Sequence, residues 1–149
     1  MKERIELISD LLYSENLPQI INYINKIDDS EFLFIYSWNY NWDDFLDIPN
    51  AILDNKYCDL ANALLLFYNG GGYEFLQNYN SIKLNPSPWF VFMKDLYERI
   101  SKNNFKLNEI EYLSPLTKIQ IFKLKKDFPE IQSVFFDGTI GKKINVLIM

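Results

Sequence analysis

Cys58-Asp59-Leu60-Ala61-Asn62-Ala63-Leu64-Leu65-Leu66-Phe67-Tyr68-Asn69-Gly70-Gly71-Gly72 is the stretch on which the fold turns. Asp59 is a natural N-cap, because a short side-chain carboxylate can accept from the first free amides of a helix. From Leu60 to Tyr68 the apolar residues almost surround the helix that follows, so it is expected to be the most buried of the set. Asn69 and the three glycines end it, supplying the left-handed conformation that a helix C-cap favours. A phosphate-binding loop is a poor reading of the same glycines. No Lys-Ser/Thr pair follows them, and they do not join a strand to a helix.

Working outward, the same punctuation recurs. Ile5, Ile8 and Leu12, with Leu7 and Leu11 beside them, form one stripe of a helix. Asn16-Leu17-Pro18 resets the chain, and Ile20, Ile21, Ile24 and Ile27 form the stripe of a second helix. Asp28, with Glu31 three residues on, is placed to cap a third helix over 31–38. Asn39 to Asp44 is a break rich in turn formers. Pro49 pushes Ile48 towards an extended conformation, so the next helix is expected to start at Pro49 and stop near Asn55. A short helical segment over 73–79 leads to a loop through Pro86. Ser87-Pro88 starts a helix striped by Trp89, Met93, Leu96, Tyr97 and Ile100, which fades near Asn103. Ser114-Pro115 repeats that signal before Leu116, Ile119, Phe122 and Leu124. Ile131 to Phe136 reads as helix or strand, Asp137-Gly138 as a turn, and Ile144 to Ile148 as a run able to pair as a strand. The chain therefore reads as mostly α, a single compact domain over residues 1–149 with about seven helices in stacked hairpins. A short C-terminal β-hairpin is an option, and the structure of 129–149 stays open.

Composition then narrows the function. The 149 residues include no His and one Cys. Without imidazole there is no Ser-His-Asp or Cys-His mechanism, and without several Cys or His ligands there is no zinc site. No disulfide can form within one molecule, which suits a reducing compartment. The amino terminus carries both signs of charge where a secretory signal needs an apolar core. The longest apolar run, from Ala63 to Tyr68, is far short of the roughly 20 residues that cross a bilayer. A cytoplasmic location is expected. Abundant Ile, Asn, Lys, Tyr and Phe match AT-rich codons and a low-GC bacterial source.

The net charge of −5 hides an asymmetry. Residues 1–60 hold 12 acids and 4 bases, and residues 61–149 hold 8 acids and 11 bases. The front half is thus at −8 and the back half at +3. An acidic front suits a cationic protein partner. The one basic candidate for nucleic acid is Lys118, Lys123, Lys125 and Lys126, and cations near a helix end complement its dipole without invoking a nucleic acid.

Trp38-Asn39-Tyr40-Asn41-Trp42-Asp43-Asp44 is the most unusual segment. Aromatics beside carboxylates have the composition of an interface hot spot. Tyr40, Trp42, Asp43, Asp44 and Asp47 are therefore the expected partner-binding residues. The competing reading has both Trp rings anchoring the loop in the core while the Asp residues cap helices. Asp43, Asp44, Asp47, Asp54 and Asp59 make neither a convincing acid pair nor a hard-cation loop, since no Asp-x-Asp-x-Asp-Gly pattern occurs. No catalytic residue, cofactor or metal is assigned. Cys58, beside a buried helix, reads as a small packed residue.

Trp38, Trp42-Asp43-Asp44, Ile48-Pro49, Ala51-Ile52, Cys58-Asp59-Leu60, Ala63-Leu64 and Phe67 together resemble a bacterial family of domains of unknown function. Its pattern is a Trp-Asp-rich turn, an Ile-Pro helix start and a Cys-Asp-Leu helix. Such small acidic domains are similar to the immunity proteins of polymorphic toxin systems. The resemblance spans residues 38–73 and implies no catalytic residue. It implies a non-enzymatic immunity protein, an antitoxin that binds a cationic toxin domain, with no direct contact to nucleic acid or membrane. The alternative is a helical adaptor module whose partner is not a toxin.

Overall fold

The computed structural model describes residues 3–42, 46–78 and 87–148. Among them are nine helices: α1 (Arg4–Tyr13), α2 (Leu17–Lys26), α3 (Ser30–Asn39), α4 (Asp47–Asp54), α5 (Leu60–Asn69), α6 (Gly72–Gln77), α7 (Pro88–Ser101), α8 (Lys118–Asp127) and α9 (Val134–Asp137). Among the described residues there is no sheet, only three isolated bridges. None of the described helices is long and apolar enough to cross a membrane.

Packing runs between alternate helices. α1 lies on α3, α3 on α5 and α5 on α7, while α2 lies on α4. Odd-numbered helices thus stack as one row and α2 with α4 as another, the arrangement of helical hairpins stacked side by side. α5 is the hub. It touches α3, α6 and α7, and every residue from Leu60 to Phe67 is buried. That one helix accepts neighbours on several sides is what an all-round apolar surface demands.

Polar groups fix the register of the stack. Asp59 is fully buried; its Oδ1 accepts from Ala61 N at 2.9 Å and its Oδ2 from Glu109 N at 2.7 Å. One carboxylate therefore caps α5 and ties the 107–112 segment to it, alongside the bond from Leu60 N to Leu107 O at 2.8 Å. Asn62 Nδ2 donates to Ser37 Oγ at 2.8 Å inside the α3–α5 contact. Asn55 ends α4 and also donates from Nδ2 to Ile24 O and Ile27 O, satisfying carbonyls at the end of α2. Ile24 O also accepts from the C-cap Ile27 N at 3.2 Å, and Ile27 O lies past the last turn, where a helix leaves carbonyls to be satisfied from outside.

Several expected starts move. The cap of α3 is Asp29, not Asp28. Asp29 Oδ1 accepts from Glu31 N and Phe32 N, and Asp28 sits one residue too early to reach them. α4 begins at Asp47, so Ile48 is helical despite preceding a proline. Pro49 falls in the first turn, where its missing N–H would have had no helical partner. Burial of Ile48 in the core offsets the crowding. α8 is opened by a Thr117–Gln120 capping box rather than by Ser114-Pro115. Ser114 Oγ instead donates to Phe135 O and accepts from Leu116 N. Ser87 caps α7 through Phe90 N, with Pro88 next, as expected.

The glycine run is a joint between two helices. Gly70 ends α5, Gly71 takes φ +101°, and α6 begins at Gly72. A Cβ at Gly71 would be strained by that φ and would stand 3.1 Å from the Trp89 ring. Trp89 Nε1 donates to Gly70 O at 2.6 Å, pinning α7 to the joint.

Past Ser101 the chain runs back along α5 and α3, tied to Leu60 by Leu107 O, to Glu31 by Lys142 and to Asn39 by Val146 O. It does not form the C-terminal β-hairpin among the described residues. Thr139 and Lys142 bridge to Tyr112 and Ile110 rather than to one another. Gly138 explains the pairing: its φ is +69°, and a Cβ there would collide with Tyr112 O. Residues 144–148 pair with no strand among the described residues. Phe135 on α9 is fully buried, stacked on Tyr97 at 5.0 Å and edge-on to Phe67 at 5.2 Å.

Candidate binding cleft

The end of α1, the turn into α2 and the end of α3 surround a cleft of about 710 Å³. Its apolar lining comes from Leu11, Leu12, Leu17, Ile20, Ile48 and Ile148. Its polar lining comes from Tyr13, Glu15, Tyr36, Asn39, Tyr40 and Asn41. The helix ends account for this mixture. α1 stops at Tyr13 with Ser14 extended, and α2 restarts at Leu17 behind an Asn16 cap. The residues between them therefore turn their side chains to solvent.

Tyr36 is almost wholly buried, and burial, with Tyr40 nearby, pushes its phenol far above the ordinary tyrosine value. It stays neutral at any physiological pH and can serve as a hydrogen-bonding group. Tyr40 stacks on it with centroids 5.9 Å apart. Asn39 Nδ2 donates to Ile35 O at 2.9 Å and to Val146 O at 2.8 Å, which brings the C-terminal segment to the cleft. Ile148 completes the lining.

The predicted contact residues separate. Tyr40 lines the cleft, and its ring meets Trp42 edge-on at 6.1 Å. Trp42 continues inward: half-buried, it lies edge-on to Phe92 at 5.8 Å, and a Cβ on Gly70 would stand 3.0 Å from its ring. Its buried Nε1 has no hydrogen-bond partner among the described residues. Trp42 anchors the chain after α3 against α7, whereas Trp38 is about half exposed beside Phe34. Asp47 is exposed at the first position of α4, next to the cleft residue Ile48, where a carboxylate favours the helix dipole. Asp43 and Asp44 lie outside the described residues.

Missed from the sequence were Tyr13, Glu15, Tyr36 and Asn39. Tyr13 and Glu15 flank a helix-to-helix turn, and that polar interruption between two apolar stripes was the signal available for them. Tyr36 and Asn39 sit inside a helix whose apolar residues surround it, and nothing local distinguishes their face.

Asp29, Glu31, Asp54 and Asp59 have structural employment. Arg4 bridges Asp29 and Glu31 at 3.4 Å each, Lys142 reaches Glu31 at 3.0 Å, and Arg99 pairs with Asp54 at 3.2 Å. Such exposed pairs are worth little individually. Asp59, committed to two backbone amides inside the core, is unavailable to a substrate. Among the described residues no three His, Cys, Asp or Glu side chains converge on a metal-sized site. Burial drives the Cys58 thiol well above its ordinary value against the nearby Arg99 charge, so it is a packed group and not a nucleophile.

No curated protein and no solved structure matches this chain. The family comparison covers α3 to α7, the hub and its neighbours: a DUF4274 domain, a domain of unknown function, is found at residues 28–101.

Proposed function

We propose that this protein is a bacterial immunity protein, a non-enzymatic inhibitor that docks a cationic toxin domain against its acidic front. The observation that supports the reading is the cleft itself. A lining that mixes apolar Leu11, Leu12, Leu17 and Ile20 with Tyr13, Tyr40, Asn39, Asn41 and Glu15 suits an inserted Lys or Arg, whose stem needs apolar cover and whose head needs acceptors. Rigid aromatic side chains also supply contact area at small entropic cost. Tyr40 is the aromatic anchor, Glu15 the charge in the cleft lining, and the exposed Asp47 adds a carboxylate beside the lining residue Ile48.

Co-expression with the product of the adjacent open reading frame tests it. A stable complex and rescue of growth from that product's toxicity are expected. Glu15→Lys or Tyr40→Ala should weaken the complex by about tenfold or more. Absence of both complex and rescue overturns the proposal. A complex without toxicity to rescue favours the adaptor reading, in which the same cleft serves a partner that is not a toxin.

A further inference from the structure

α8 carries Ile119, Phe122 and Leu124 on the helix expected for them, but it leaves two of the three uncovered. Only Leu124 is buried, while Ile119 and Phe122 are each 69% exposed. Three residues apart, they share one face of the helix. Lysines ring them at four-residue spacing: Lys118 precedes Phe122, Lys123 follows Ile119, and Lys126 follows Phe122, all exposed. The helix dipole accounts for cations in the last turn, Lys125 and Lys126. It does not account for Lys118, the first residue of a helix whose first turn carries no acid. There the dipole disfavours a cation, so Lys118 and the two bare apolar side chains work against the local stability of α8. Lys125 is engaged within the molecule, over the Phe136 ring at 5.3 Å. What remains is an exposed knob of two apolar side chains among three lysines.

We infer that this knob docks into the α1–α3 cleft of a second copy of the chain. The complement is present on the same molecule: Leu11, Leu12, Leu17 and Ile20 give the cleft an apolar lining, and the exposed Glu15 gives it a carboxylate. At about 710 Å³ the cleft is larger than a phenylalanine side chain and can take Phe122 with Ile119 beside it. Apolar groups interleaved with charges match a protein surface of the same mixture better than a lipid surface, because Lys126 lies in line with the apolar pair rather than on a separate polar face. Knob and cleft are different surfaces, so the contact is head-to-tail and adds copies one after another or closes a ring. The inference rests on reading the cleft as a cation acceptor, and it makes self-association and capture of the cationic partner mutually exclusive.

Sedimentation velocity on the full chain decides it. At low salt the sedimentation coefficient should rise with protein concentration, and the rise should vanish in about 1 M salt, where the screening length is near 3 Å. The Ile119→Ser/Phe122→Ser variant and the Lys118→Glu/Lys123→Glu/Lys126→Glu variant should each weaken association by about tenfold or more. Glu15→Lys should do the same from the cleft side. Mixing the triple Lys→Glu chain with the Glu15→Lys chain should restore association, since each then meets a cleft of opposite sign. All substitutions are at exposed positions, and unchanged circular dichroism confirms folding. A wild-type chain that stays monomeric at every concentration overturns the inference, as does association indifferent to the α8 variants, or to Glu15→Lys, or a mixture that does not associate. The α8 variants leave the cleft intact and should still capture the cationic partner, whereas a wild-type chain that captures it yet stays monomeric at every concentration defeats self-docking alone. Self-association that proceeds without any capture of the toxin defeats the immunity reading alone.

Discussion

α5 and α8 are each ten residues long, each opens on a side-chain cap, and each carries apolar residues at helical spacing. In the folded molecule they have opposite fates. Eight residues of α5 are buried, against Leu124 alone in α8. The difference lies in their neighbours. α5 is enclosed by α3, α6 and α7, while α8 meets the core through Leu124 and the half-buried Ile121. A stripe states that a helix has an apolar side. It does not state that another element arrives to cover it.

Substitutions along the two helices break or sharpen this contrast. Phe67→Ala should be the most damaging, because the Phe67 ring meets Tyr68, Phe75, Tyr97 and Phe135. Truncating it removes the transfer free energy and leaves a cavity, a loss of about 3–5 kcal/mol that denaturant unfolding would read. Thiol labelling of Cys58 offers a parallel readout, slow in the wild type and accelerated in the variant. A small loss would mean that the aromatic cluster can collapse around the gap.

Asp59→Ala comes next. It removes the cap of α5 and leaves Glu109 N without its acceptor, an expected loss of about 2–3 kcal/mol. Hydrogen exchange should show the 107–112 segment opening first, since its tie to α5 runs through that carboxylate. Gly71→Ala should cost about 1 kcal/mol, from the left-handed φ, with the joint between α5 and α6 loosening before either helix. At the small end stand Ile119→Ser and Phe122→Ser in α8, each expected within about 0.5 kcal/mol of wild type in unfolding experiments. If either destabilises the monomer as Phe67→Ala does, α8 is packed like α5 and the contrast fails.

Local chemistry made much of the helical outline readable. The caps at Asp59 and Ser87, the proline starts at Pro18 and Pro88 and the glycine joint at 70–72 depend on atoms within a few residues. Their energies are therefore present in any short window of sequence. Where two local solutions compete, the window is too small. Asp28 has the capping-box spacing to Glu31, but Asp29 is the cap because the helix starts at Ser30 and its Oδ1 meets Glu31 N and Phe32 N. Ser114 and Thr117 both precede helical residues, and Ser114 is drawn away by Phe135. Of the cleft, Tyr40 was readable from its polar and aromatic surroundings. Trp42 was read as a contact, and the structure turns it inward against Phe92. Tyr13, Glu15, Tyr36 and Asn39 become neighbours only when α1, α2 and α3 pack.

By itself the sequence determined that this is a helical protein with a hub at 60–69, a charge-divided chain and no imidazole chemistry. These follow from residue type and short-range spacing. Only the tertiary structure decided which apolar stripes are covered, where the tyrosines and Glu15 meet in a cleft, and that Ile119 and Phe122 face solvent. Burial is a property of pairs of elements, and the neighbour that covers a helix face can come from anywhere along the chain.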